Sequence, residues 1–265
     1  MIGMLRMPDD DRWYRLAVGT LVLAAWTALT VWGASPFAGL LNHRGIGEGS
    51  ALSPTLRLAL FVAGWTLMAI AMMLPGSLPL INLFRRLVIG RPDRTGLVAR
   101  LILAYLGVWA LFGAAAYLGD TAVHAAVARL PEAAAVSAWI GVAILLVAGI
   151  YQVTPLKHMC LDKCRSPYSF LVEHWRGRRP GWDAVRLGAR HGLFCVGCCW
   201  TLMLLMFAIG GVNLGWMLAI GAVMAAERAF PWGRRLTVPV GLLLVLCGLG
   251  LVYRVPLVVA AFGGS

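Results

Sequence analysis

Long apolar segments recur along this chain and restrict the folds that are open to it. Of its 265 residues, 60% are hydrophobic and only 13% are charged, whereas a soluble domain carries about 25% charged residues. A helix needs about 20 apolar residues to cross the hydrocarbon core of a bilayer. Seven segments approach or reach this length, at about 15–34, 56–74, 97–119, 134–153, 192–211, 213–229 and 236–260. The sequence therefore predicts an all-α, polytopic membrane bundle of about seven transmembrane helices.

We expect one membrane domain over residues 1–265, without a soluble module. Only two connecting segments are long, at about 35–55 and 155–190. The prolines at 75 and 79 are expected to break the second span at its end, because proline disrupts an α-helix. The sequence contains no internal repeat, Rossmann glycine pattern, P-loop or Ser–His–Asp set, so it offers no common signature of a nucleotide-binding protein or hydrolase.

The positions of the basic residues predict the orientation in the membrane. The chain has 23 Lys and Arg against 11 Asp and Glu, a net charge of +12. With the N-terminus inside, 19 of these 23 basic residues fall in cytoplasmic segments, and only Arg44, Arg57, Arg129 and Arg254 fall outside. This asymmetry follows the positive-inside rule and places the C-terminus outside. The basic charge thus indicates anionic lipid at the cytoplasmic face of a bacterial inner membrane as a partner, and not nucleic acid.

Two cysteines follow the fourth apolar segment. The pair Thr154-Pro155 supplies a favourable N-cap and first helical residue. We therefore expect a break at this point and then a short helix that ends near residue 165. The four-residue spacing places Cys160 and Cys164 on one face of this helix. Lys157 lies one turn earlier, where a cation beside a thiol would favour the thiolate.

A second group of three cysteines opens the fifth apolar segment. Steps of four residues link His191 to Cys195 and Cys195 to Cys199, and Cys198 lies beside Cys199. These residues share one face of a helix, and Met203 continues the series into the membrane. Thiolate and thioether ligands select Cu(I) and other soft ions. We therefore predict a metal site made by the five clustered cysteines, with His191 as a second choice of ligand.

Glu227 is another second-choice ligand, because an acidic residue near the end of an apolar span is often functional. The alternative for Glu227 is a surface ion pair with Arg228, Arg234 or Arg235. Several further methionines occupy the predicted spans, and for these we expect core packing. They are Met68, Met72, Met73, Met217 and Met224.

The clustered cysteines are compatible with three functions. The predicted orientation places them at the cytoplasmic face, where thiols stay reduced and structural disulfides are rare. The favoured function is binding of a soft metal ion, with copper preferred over zinc or iron, and metal handling or transport as its purpose. The second is a transmembrane thiol–disulfide oxidoreductase that uses the same cysteines as electron carriers. The third is an assembly partner of a membrane complex that carries a structural metal.

Three stretches of the chain resemble a known family. They are Met68-Ala-Ile-Ala-Met-Met-Leu-Pro75, the segment Tyr151–Pro167 with its Pro-Leu-Lys-x-x-Cys-Leu motif, and the segment His191–Met203 with its Gly-Cys-Cys-Trp motif. They resemble a bacterial family of polytopic membrane proteins of unknown function that is described as metal-binding, over about residues 56–250. A Glu-Lys pair of that family stands here as Glu227-Arg228. The resemblance implies a metal site at the cysteines and no particular reaction.

The charge asymmetry leads to a labelling prediction. In a variant without native cysteines, residues introduced near Arg91 and Arg178 should be protected from an impermeant thiol reagent applied outside. Cysteines introduced at Ser50 and Ala133 should react, because the predicted orientation places them outside. Labelling at position 178 from outside would reverse the orientation and move the thiols into an oxidising compartment.

Overall fold

The protein is described by a computed structural model over residues 9–35, 38–41, 52–130, 133–210 and 214–262. Within these ranges its regular secondary structure is entirely helical, which confirms the predicted all-α class. The helices are α1 (Asp9–Gly33), α2 (Pro54–Leu87), α3 (Arg94–Val127), α4 (Ala133–Tyr151), α5 (Pro155–Arg165), α6 (Pro167–His174), α7 (Pro180–Gly210), α8 (Leu214–Ala229) and α9 (Gly233–Phe262).

Five helices in the described ranges are long and apolar enough to cross a membrane, namely α1, α2, α3, α7 and α9. Helices α4 and α5 add a sixth crossing if this pair, which is bent by 62°, is one broken span. Helix α8 corresponds to the predicted segment 213–229, and its 16 residues fall short of the roughly 20 that a perpendicular crossing requires. The count of seven and the orientation of the termini therefore stay predictions.

Helix α2 continues through two prolines at which the sequence predicts a break. Its segment Ala69–Met73 is a π-helix, after which α-helical geometry resumes at Leu74 and continues to Leu87. The π-helix shifts the hydrogen-bond register, so that Pro75 lies in the first turn of the next α-helical stretch. Proline lacks a backbone N–H, and a π-turn is a place at which the regular i→i−4 hydrogen-bond ladder is already interrupted. The predicted break is wrong, and Pro79 lies inside the helix.

Helix α5 begins and ends where the sequence predicts. The Thr154 hydroxyl accepts a hydrogen bond from the Lys157 backbone N–H at 3.3 Å, and Pro155 is the first helical residue. Because α5 is turned by 62° from α4, it packs across α7. Gly197 on α7 allows this close approach, since a Cβ at Gly197 would lie 2.6 Å from the Cys160 sulfur.

Helices α4 and α9 also meet at glycines. A Cβ at Gly149 would lie 2.7 Å from the carbonyl oxygen of Gly241 and 2.9 Å from the backbone nitrogen of Val245. Gly141, two turns earlier on the same helix, has no atom within 4 Å of the equivalent position. The α4–α9 contact therefore tolerates no side chain at position 149, whereas position 141 is open.

This contrast predicts opposite effects of one methyl group. Gly149→Ala should lower the free energy of unfolding by about 1–3 kcal/mol, because backbone atoms must move apart. Gly141→Ala should leave it unchanged or raise it by up to about 1 kcal/mol through helix propensity. Thermal unfolding in detergent, followed by circular dichroism, measures both. Equal melting temperatures for the two variants would contradict the close helix contact.

Candidate metal centre

The two cysteine clusters, separated in sequence, meet between α5 and α7. The sulfur of Cys198 lies 3.9 Å from that of Cys164 and 3.3 Å from that of Cys199. All six cysteines are free thiols, and the Sγ–Sγ distances exceed by far the roughly 2 Å of a disulfide bond. The thiols of Cys164, Cys198 and Cys199 thus form one network, and the Cys198 thiol also donates to the Cys195 carbonyl at 3.2 Å.

Cys160 and Cys195 adjoin this network through other contacts. The Cys160 sulfur faces Gly197 on α7, one helical turn before Cys164 on α5. Cys195 exchanges a hydrogen bond with the Tyr105 hydroxyl of α3 at 3.1 Å. Both thiols are buried. The five cysteines therefore lie at the interface of α5 and α7, and α3 contacts this interface through Tyr105.

Sulfurs that bind one tetrahedral ion at about 2.3 Å from its centre lie roughly 4 Å apart. The 3.9 Å between Cys164 and Cys198 equals this spacing, whereas the 3.3 Å between Cys198 and Cys199 is shorter. Among the described residues, no group of three or more His, Cys, Asp or Glu side chains has the arrangement of a metal site. The thiols contact one another closely, so ligation by three of them would require the Cys198–Cys199 pair to open by some tenths of an ångström.

The cation at the thiols is Arg228 of α8. Its Nη2 lies 3.6 Å from the Cys199 sulfur and 2.6 Å from the Met73 sulfur, and its Nη1 donates to the Met73 carbonyl at 3.4 Å. Arg228 is only 8% exposed. In the described part of the chain, no carboxylate lies within ion-pair distance of it. The groups that contact this buried positive charge are therefore two sulfur atoms and one carbonyl oxygen.

Lys157 is not the cation at the thiols, which corrects the sequence-based expectation. Its ammonium donates to the Glu227 carboxylate at 2.8 Å and also to the side chain of Gln152. Both charged side chains are at most 1% exposed. Among the described residues, the carboxylate partner of Lys157 is Glu227 on α8, and burial of either charge alone would be costly.

The two second-choice ligands lie beside the thiols in other contacts. Glu227 pairs with Lys157 inside the bundle, so the alternative of a surface pair with a neighbouring arginine is wrong. The His191 ring exchanges a hydrogen bond with the Ser77 hydroxyl at 3.2 Å and stacks on Tyr105. Neither residue contacts a thiol through these bonds, and their roles as ligands stay predictions.

The exposed face of α5 is attached to neighbouring elements by charged side chains. Arg165 donates to the carbonyls of Glu227 at 2.6 Å and Phe230 at 2.7 Å, which caps the C-terminal end of α8. Lys163 donates to Glu173 of α6 at 2.6 Å, and this hydrogen bond lowers the pKa of the Glu173 carboxyl below its ordinary value. These contacts fix the helix that carries Cys160 and Cys164.

Sequence reasoning missed Arg228 because it treated this residue as a possible surface partner of Glu227. The available signal was the adjacency of two charges on an otherwise apolar helix. Residues 227 and 228 point about 100° apart around a helix, so they cannot share one partner when both are buried. Each of them requires its own site in the interior.

The chain belongs to the PpoB2 family of copper chaperones, whose model matches residues 62–251. The matched region contains both cysteine clusters and the charged residues Lys157, Glu227 and Arg228. This membership confirms one implication of the resemblance, namely that the chain belongs to a family associated with a metal. No curated protein and no solved structure matches the chain.

The buried ion pair leads to a stability prediction. Glu227→Gln should lower the free energy of unfolding by about 3–5 kcal/mol, because it leaves the Lys157 charge buried without a counter-ion. The matched control is Asp162→Asn, which removes a 2.8 Å pair with Arg234 whose side chains are 47% and 55% exposed. This control should cost less than about 1 kcal/mol.

Both variants are compared with the wild-type protein by thermal unfolding in detergent with a chelator present, so that metal binding does not contribute. The double variant Lys157→Met/Glu227→Gln should recover much of the loss, since no buried charge remains. An unchanged melting temperature for Glu227→Gln alone would mean that water reaches this ion pair.

Proposed function

We propose that this member of the copper chaperone family binds Cu(I) as its cargo between α5 and α7, through the thiols of Cys164, Cys198 and Cys199. Cys160 and Cys195 lie beside these three and are the reserve donors. The observation that carries the proposal is the 3.9 Å contact between the Cys164 and Cys198 sulfurs, which come from segments 34 residues apart. Converging thiols are what a soft ion requires.

The chemistry of the donor set favours Cu(I) over other metals. Thiolates are soft ligands that select Cu(I), whereas carboxylate and water suit Mg²⁺ and Ca²⁺. The carboxylate of Glu227, on the helix that carries Arg228, is held by Lys157. Tetrahedral Zn²⁺ sites often use four Cys or His ligands, whereas Cu(I) is commonly held by two or three sulfurs. Zinc and iron are the competing metals that elemental analysis distinguishes.

Charge compensation supports the same proposal. A Cu(I) ion with two thiolates carries one negative charge, and with three thiolates it carries two. A buried charge needs a counter-charge nearby. The Arg228 guanidinium, 3.6 Å from the Cys199 sulfur, supplies a positive charge at this point. We infer that Arg228 stabilises the anionic copper–thiolate complex by Coulomb attraction, which is strong where water is excluded.

The location that we propose is a bacterial inner membrane with the thiols at its cytoplasmic side. Five helices of the described ranges have the length and apolarity for crossing a bilayer, and the 19 basic residues predicted inside support the orientation. On that side thiols stay reduced and copper is handled as Cu(I). Among the clustered cysteines, Cys160 and Cys164 are the most exposed, at 6% and 8%. Metal exchange is therefore easiest along α5.

The experiment is a metal count on purified variants. Cys198→Ser and Cys199→Ser should each lose most of the bound Cu(I), because a hydroxyl is a poor ligand for a soft ion. Cys247→Ser is the matched control, since Cys247 is exposed and lies outside the thiol network. Anaerobic titration with a chromophoric Cu(I) chelator gives the stoichiometry, and circular dichroism checks that each variant keeps its helices.

The same samples test the two other functions. Full copper retention in both variants would remove Cys198 and Cys199 from the site. A free-thiol count that falls in pairs under mild oxidant, in wild-type protein that binds no metal, would favour the thiol–disulfide oxidoreductase. Copper that is bound but cannot be removed by a strong chelator would favour a structural metal and an assembly role over delivery.

A further inference from the structure

Methionine is concentrated in the interior beyond the thiols. The described ranges contain eight methionines, and seven of them are buried in one core cluster. The eighth, Met159, is 52% exposed. Six of the buried seven lie in pairs on α2, α7 and α8. They are Met68, Met72, Met203, Met206, Met217 and Met224.

On α7 these methionines continue the line of thiols. Met203 follows Cys199 by one turn and Met206 by two, which places them about 6 Å and 10 Å further along the helix. Both are fully buried, as are their counterparts on α8. Met72 of α2 reaches the same region, since its terminal methyl lies 3.0 Å from the Cβ position of Gly221 on α8. Gly221 lies between Met217 and Met224, one turn from each.

The π-helix of α2 is the second observation that points to a site. Segment Ala69–Met73 carries Met72 and Met73 and is followed at once by a proline stretch. π-Helical turns are rare, and they occur frequently at functional sites because they redirect side chains. Both Met72 and Met73 of this segment are buried.

Arg228 contacts both the thiols and a seventh buried methionine, Met73, which neighbours Met72 in the π-helix. Its guanidinium contacts the Met73 sulfur at 2.6 Å and the Cys199 sulfur at 3.6 Å. Arg228 therefore lies at the boundary between an anionic thiolate site and a neutral thioether region.

Packing alone would not require this composition. Methionine does fill irregular cores, and burial by itself is therefore no evidence of ligation. However, thioether sulfur is a neutral, soft donor that suits Cu(I) and few other biological cations. Three helices present thioethers to one region that adjoins soft thiols and contains a π-helix.

We propose that these six methionines form a second Cu(I)-binding region, a thioether-lined path that leads from the thiols towards the opposite side of the bundle. This inference rests on the proposed copper function. The thiol site holds Cu(I) tightly through charge, and the neutral thioethers bind it more weakly, so that the ion can move along the path. Arg228 separates the two regions and keeps copper at the thiols until the thiol site is full.

X-ray absorption on selenomethionine-substituted protein tests the path without any core substitution. The protein is purified in detergent and loaded anaerobically with one and then with two or more equivalents of Cu(I). At one equivalent the copper should show sulfur neighbours only, because sulfur then comes only from cysteine. At higher loading a copper–selenium neighbour should appear. The triple variant Met4→Leu/Met7→Leu/Met159→Leu, which spares the six, should keep that signal.

A matched core variant gives the second measurement. Met203→Leu/Met224→Leu conserves volume, which cores tolerate well, and should lose the additional copper while it keeps the first equivalent. If copper shows sulfur neighbours and no selenium neighbour at any loading, the methionine path is refuted and the proposed thiol site is retained. A selenium signal that survives in Cys198→Ser protein with unchanged copper content would refute the thiol site instead. Absence of any bound copper would refute both.

Discussion

The bend between α4 and α5 is the constraint on which the candidate site depends. A straight continuation of α4 would carry Cys160 and Cys164 along the bundle axis, whereas the 62° turn lays α5 across α7. Thr154 and Pro155 produce the turn locally. The buried pair of Lys157 and Glu227 then holds α5 against α8. A buried ion pair adds little net stability, but separating its partners is expensive, so this bond specifies one position for α5.

The electrostatics of the interior follow from an unequal number of buried charges. Lys157 and Arg228 are both buried cations, and Glu227 neutralises only the first of them. The second positive charge lies among neutral thiols and thioethers. Such a charge is unfavourable in a dry interior unless an anion accompanies it. The structure thus places excess positive potential where thiolates would form, which is what an anionic metal–thiolate complex requires.

Much of this fold could be predicted from local sequence. The apolar runs identify the long helices, and Thr154-Pro155 identifies α5 within one residue because cap chemistry acts over only a few positions. Two features could not be predicted. Pro75 lies inside a continuous helix, directly after a π-helix that interrupts the regular α-helical hydrogen-bond ladder. Lys157 and Arg228 exchange the roles expected of them, since tertiary packing, and not sequence distance, decides which cation reaches Glu227 and which reaches the thiols.

The distance in sequence between the two clusters has a thermodynamic consequence. Cys164 and Cys198 are 34 residues apart and lie on helices that meet only in the folded bundle. A zinc finger carries its ligands on one small unit that folds around the ion. Here the helices are already packed, so the fold itself brings the sulfurs to 3.9 Å. For the proposed Cu(I) site, sulfurs that the fold already holds together would lower the ordering entropy that binding costs. The proposed cargo site would then gain or lose its ion while the bundle stays folded, as delivery of copper to another protein requires.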